Sequence, residues 1–105
     1  DTDLSIDEEK LIPTSSKLLS AYPNPFNNSV TIPYKIHAKS NVDIIISNVL
    51  GQKILSYTYQ NRLPGNYKIS WNGINDRNIS VSGGVYLVTL KTDSSIDFKK
   101  IVLLK

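Results

Sequence analysis

The chain has 105 residues and a mass of 11.7 kDa, the size of a single domain with one modest core. It has no cysteine, which excludes disulfides and thiolate metal sites, and no apolar run approaches the roughly 20 residues that span a bilayer. Net charge is +3, but only two of the twelve basic residues are Arg and five of the nine acidic ones precede Lys10, so nothing resembles the arginine clusters of a nucleic-acid binder.

Residues 1–16 lack sustained periodicity and close on Pro13-Thr14-Ser15-Ser16. They read as an acidic, polar linker or a frayed terminus, in the functional reading the tether from an upstream cargo domain, with the folded domain at 17–105. They are acidic where a cleavable signal peptide is basic and then apolar, so if the protein is secreted its signal is expected on a larger precursor. From Lys17 the pattern is β throughout. Leu18–Tyr22 is expected as a short strand, stopped by Pro23 and Pro25. Val30, Ile32, Tyr34 and Ile36 alternate with Thr31, Pro33 and Lys35, the period of a half-buried strand. Pro33 cannot donate to a ladder, which predicts an edge or a bulge there. Val42–Val49 carries Ile44-Ile45-Ile46, a β-branched run that suits a strand covered on both faces. Leu50-Gly51 turns the chain into Lys53–Tyr59. Pro64-Gly65 predicts a type II turn, and Asn66–Trp71 follows with Tyr67, Ile69 and Trp71 on one face. A polar loop from Asn72 to Gly83 leads to the strand Val85–Lys91. Thr92–Ser95 is a hairpin turn, and Ile96–Leu104 is the last strand. Seven short strands with regular turn signals predict an all-β fold, a seven-stranded immunoglobulin-like antiparallel β-sandwich. Without a cysteine pair, Trp71 is expected at the centre of its core.

Catalytic chemistry has little to stand on. His37 is the only histidine and sits in a loop composition beside Ala38-Lys39-Ser40-Asn41. The carboxylates beyond the acidic leader are Asp43, Asp76, Asp93 and Asp97, and nothing pairs them in sequence. No enzyme activity and no cofactor are expected. The loop Asn72–Asn78 is rich in oxygen donors, but Asp76 is its one carboxylate and Arg77 lies beside it, a poor cage for calcium. Turn formation by its Asn and Asp side chains explains the composition. Tyr57, Tyr59, Tyr67 and Trp71 together offer a carbohydrate-binding platform if they lie exposed and coplanar.

Short motifs recur in a fixed order along the chain. Tyr22-Pro23-Asn24-Pro25-Phe26-Asn27 is a stiff elbow, since each proline holds its predecessor extended, and Phe26 is placed to plug the end of a sandwich. Leu50-Gly51-Gln52, Leu63-Pro64-Gly65-Asn66-Tyr67 and Trp71-Asn72-Gly73 follow. Ser82-Gly83-Gly84-Val85-Tyr86 comes next, where Tyr86 opens a strand as a tyrosine corner does. The chain finishes on Lys100-Ile101-Val102-Leu103-Leu104-Lys105, more apolar than a frayed end. As an edge strand it could add to a partner's sheet or pair with a second copy in a weak homodimer.

Taken together the series resembles the C-terminal sorting domain of proteins exported by the type IX secretion system, an immunoglobulin-like family akin to the sandwich of flagellar hook-capping proteins. The resemblance covers roughly residues 18–105. It implies a sorting signal that takes a larger cargo across the outer membrane of a Gram-negative bacterium to the surface or the medium. The implied partners are the outer-membrane translocon with its shuttle and sorting peptidase, and the upstream cargo. It also implies that the domain is cleaved upstream of Lys17 and exchanged for a surface anchor. Ser82–Val88 matches the family's glycine-tyrosine motif and Lys100–Lys105 its terminal basic-apolar motif. Asn28 departs from the usual proline, and Asn72 stands where the family has an acid. The alternatives are an immunoglobulin-like spacer or dimerisation module of an extracellular enzyme, or the carbohydrate-binding module.

Overall fold

The computed structural model describes residues 15–105; most of the expected linker, 1–14, lies outside the described residues. The seven strands are β1 (Lys17–Leu18), β2 (Val30–Ile36), β3 (Ser40–Asn48), β4 (Lys53–Arg62), β5 (Gly65–Trp71), β6 (Gly84–Lys91) and β7 (Ile96–Leu103). They form two antiparallel sheets, one ordered β1-β2-β5 and the other β4-β3-β6-β7. This is the expected sandwich. Strict alternation in β2 buries Val30, Ile32, Tyr34 and Ile36 against Val42, Ile44 and Ile46 of β3 and Val88 and Leu90 of β6. Each of those strands therefore contributes one whole face to a common core.

Three details depart from expectation. First, the opening strand is only two residues long. Leu19 N–H donates to the Pro33 carbonyl at 2.9 Å, but Pro33 has no N–H to return, so the ladder lapses. It recovers only at Tyr22, which exchanges two hydrogen bonds with Thr31. Pro33 itself sits in the central strand of its sheet, its missing donor absorbed by the lapse in β1. Second, Ile45 is half-exposed while Ile44 and Ile46 are buried, so β3 is covered on one face only. Third, Gly65 has φ of +154° rather than the +80° or so of a type II turn, and it opens β5.

Ser16, just before β1, packs against the sandwich. Its side chain is buried and its Oγ accepts the His37 N–H at 2.9 Å. The turn at Leu50-Gly51 is organised by Asn48, whose Oδ1 accepts from the N–H groups of Leu50 and Gln52. The hairpin at 92–95 is tied by Thr92, whose Oγ1 accepts from Ser94 and Ser95 N–H.

Candidate functional site

The elbow, the start of β6 and the end of β7 meet at one corner of the sandwich. β7 is an edge strand, paired on one side with β6 in the register Gly84↔Leu103, Val85↔Val102 and Tyr86↔Ile101. Its other side is also occupied. Phe26 N–H donates to the Val102 carbonyl at 2.9 Å, and Leu104 N–H donates to the Phe26 carbonyl at 2.8 Å. Asn24 completes the line with its side chain alone. Its Oδ1 accepts from Val102 N–H at 3.0 Å and its Nδ2 donates to the Lys100 carbonyl at 3.1 Å. A carboxamide thus stands in for one peptide unit of an eighth strand. The outward groups of Lys100–Leu104 that an adding strand would use are engaged by the elbow, so the edge is closed along this stretch.

Phe26 is the plug. Both prolines flanking Asn24 follow cis peptide bonds, and Phe26 is delivered into the core at 1% exposure. Its ring meets Trp71 with centroids 5.8 Å apart, and Trp71 meets Tyr86 edge-on at 5.2 Å, arrangements that add to area burial. The Trp71 indole N–H donates to the Ile74 carbonyl at 2.8 Å. Trp71 therefore occupies the expected centre of the core and ties the loop after β5 to this corner.

Tyr86 forms the anticipated corner, its hydroxyl donating to the Ser82 carbonyl. The same device occurs a second time. Tyr67 OH donates to the Leu63 carbonyl at 2.7 Å, also four residues upstream. In both, a glycine two residues before the tyrosine opens the strand at φ of +154° (Gly65) or +147° (Gly84), conformations that side-chain-bearing residues rarely adopt. The spacing Gly-x-Tyr was visible in the sequence at both places, but only the geometry shows them to be one unit. Gly83 is needed for a different reason. A Cβ there would lie 3.1 Å from Lys105 Cβ and 3.2 Å from the Leu103 carbonyl oxygen. The Lys105 ammonium in turn donates to the Val81 carbonyl.

The sequence candidates thus divide by position. Phe26, Tyr86, Ile101 and Leu103 are core; Tyr22, Pro23, Asn24, Pro25, Asn27, Ser82, Gly83, Val85, Lys100, Leu104 and Lys105 are exposed; Gly84 and Val102 lie between. The carbohydrate platform does not form. Trp71 is buried, Tyr57 OH donates to the Ser70 carbonyl, and the Arg62 guanidinium covers both Tyr59 and Tyr67 at 3.8 and 4.2 Å from the ring centroids. Beneath that stack lies Tyr34, ring to ring with Tyr67 at 5.5 Å. Its buried hydroxyl has no hydrogen-bond partner among the described residues, and burial pushes it up to about 12 against the opposing effect of the Arg62 charge. Burial also raises Tyr57, with a further push from Tyr59, and Tyr86.

His37 is exposed and contributes its backbone N–H to Ser16. In the 72–78 loop, Asn75 Oδ1 accepts from Arg77 and Ile79 N–H, which makes it a turn-former. Among the described residues no three His, Cys, Asp or Glu side chains gather, and no helix is long and apolar enough to cross a membrane.

The model of the family described as secretion system C-terminal sorting domain matches residues 20–104. No curated protein matches the chain. Among solved structures, it is similar to PorU of Porphyromonas gingivalis, solved in a dimeric latent form, with TM-score 0.64 and 16% identity over 90% of this chain and 10% of that one. It is also similar to PorZ, an essential surface component of the type IX secretion system of the same organism (TM-score 0.60, 18% identity, 82% of this chain and 11% of that one). A third likeness is to the alkylpurine DNA glycosylase AlkC of Pseudomonas fluorescens (TM-score 0.51, 12% identity, 91% and 32%). At these identities the likenesses speak for the fold, and the chain spans about a tenth of the length of the first two.

Proposed function

The chain belongs to the family of type IX secretion-system C-terminal sorting domains, a signal that sends proteins to the cell surface or the medium, and we propose that the signal it presents is the corner where elbow, β6 start and terminal strand meet. The observation that carries this reading is the convergence itself. Three motifs separated by up to 78 residues in sequence are joined by direct hydrogen bonds along one strand. The family is a sorting family and not a catalytic one.

In the fuller reading, this domain is the end of a larger precursor whose cargo crosses the inner membrane first. The outer-membrane translocon, with its shuttle and sorting peptidase, then engages the corner. Cleavage falls upstream of Lys17, in the segment that also carries the acidic residues, and the cargo is exchanged onto a surface anchor. Leu104 and Lys105 keep their side chains out of the core, whereas Ile101 and Leu103 are buried, and removing Leu104 and Lys105 leaves the Asn24 and Phe26 bonds to Val102 in place. Removing Lys100–Lys105 would therefore unfold the corner as well as delete the signal. The better test is a reporter bearing a Sec signal, fused to residues 1–105 or to the same piece without Leu104 and Lys105, in a type IX-competent host. Surface delivery of the first and periplasmic retention of the second, with both folded by circular dichroism, is the expected result. Equal delivery of both would place the signal elsewhere.

A further inference from the structure

The outer face of the four-stranded sheet is apolar where β6 and β7 lie side by side. Phe98 and Ile96 are each 56% exposed, Val85 38% and Leu87 37%. These side chains alternate with the buried Tyr86, Val88, Leu90 and Ile101, so they point away from the core. The register sets Val85 beside Val102, Leu87 beside Lys100, Thr89 beside Phe98 and Lys91 beside Ile96. The result is a run of five apolar side chains, Val85, Leu87, Ile96, Phe98 and Val102, with Thr89, Lys91 and Lys100 beside them. A solvent-facing antiparallel sheet ordinarily reads polar on that side, and this molecule follows the rule elsewhere. Ser56 and Thr58 face outward on β4, and Lys68 and Ser70 on β5. A contiguous exposed apolar patch of this kind marks an interaction surface.

We infer that this β6–β7 face docks a partner protein whose contact surface is an apolar strip flanked by acidic side chains. The flanking charge on the page argues for that partner over a second copy. Lys91 and Lys100 stand on the same face as that run. Asp97 is turned to the opposite side, where its Oδ2 accepts the Leu18 N–H at 2.8 Å. Among the described residues only Asp43, beside Lys91, offsets the lysines on this face. Self-association through this face would bring the same lysines together at the joint. Acidic side chains on a partner would pair with them at the rim, where charge governs encounter and selectivity. The inference rests on the sorting reading, since Val85, Lys100 and Val102 of the motifs display their outward sides here while Tyr86, Ile101 and Leu103 serve the core.

The test uses the reporter fused to residues 1–105 in three altered forms: Ile96→Ser with Phe98→Ser, Lys91→Glu with Lys100→Glu, and, on the opposite sheet, Lys35→Glu with Lys68→Glu. All are surface substitutions, expected to leave Tm within about 3 °C of the parent. Surface delivery should fall at least about tenfold for the first two and stay at the parent level for the third. Unchanged delivery of the Ile96/Phe98 form overturns the docking face while leaving the sorting reading intact. Unchanged delivery of the Lys91/Lys100 form overturns the acidic partner. A dimer of the purified chain by light scattering that Phe98→Ser abolishes would make the face a joint between copies instead. Periplasmic retention of the unaltered fusion removes the sorting reading, and the docking face with it.

Discussion

Asn24→Ala tests the closed edge most directly. The substitution removes two hydrogen bonds to β7, the one received from Val102 N–H and the one given to the Lys100 carbonyl. Both partners lie at an exposed edge, so water replaces the carboxamide, and each bond is worth about 0.5–1 kcal/mol, the lower part of the usual range. The expected loss is about 1–2 kcal/mol, or roughly 4–8 °C in Tm for each kcal/mol in a domain of this size. Asn24→Asp should lie between parent and Ala, because a carboxylate still accepts from Val102 but cannot donate to Lys100. Amide hydrogen exchange supplies the local readout. Val102 N–H should lose protection by about an order of magnitude, since its partner is gone, while Val88 N–H on the interior strand changes only with global stability. If Val102 keeps its protection in Asn24→Ala, with denaturant midpoints that coincide, the carboxamide is not acting as a strand and the argument fails.

Gly83→Ala should displace the tail, because its Cβ meets the Leu103 carbonyl and Lys105 backbone at about 3.2 Å; loss of order at Lys105 by NMR checks this, and unchanged chemical shifts at 103–105 would contradict it. Trp71→Ala should cost about 3–5 kcal/mol by urea titration, as the core loses its largest buried side chain and two aromatic contacts. Tyr34→Phe should be neutral or stabilising by up to about 1 kcal/mol at pH 7, since the hydroxyl it removes is buried with no hydrogen-bond partner among the described residues. The same change should flatten the alkaline limb. Tyr34 ionises at about 12 when folded and near 10 when unfolded, so its contribution is complete below pH 10 and is lost as pH rises toward 12. One tyrosine supplies at most about 1.4 kcal/mol per pH unit there; a melt series over that range compares the two proteins.

Much of the sandwich could be read from local pattern, because β2, β5 and β6 alternate cleanly and their turns carry Gly, Asn or Thr where the backbone needs them. The errors are instructive. Ile44-Ile45-Ile46 suggested cover on both faces, but β-branching reports a preference for extended backbone and says nothing of what packs outside Ile45. Pro33 points to an edge or a bulge in its own strand, yet that strand is central and runs in unbroken register with β5, and the gap falls in the neighbouring strand. The closed edge of β7 was not legible at all. It depends on Asn24, whose two bonds reach across 76 and 78 positions, and no periodicity records a contact at that range. The twin Gly-x-Tyr corners could have been found by comparing the chain with itself, though the tyrosine-to-carbonyl bond that defines them needs coordinates.

The reach of those Asn24 bonds has a temporal meaning. Residues 22–27 leave the ribosome some seventy-five residues before the strand they embrace, and until then Phe26 has no β7 backbone to pair with. A polypeptide broken off anywhere upstream of Lys100 cannot assemble the corner, however well its earlier strands have folded. The same hydrogen bonds that seal one edge of a small sandwich therefore make the corner conditional on β7, the last strand of the fold to be synthesised.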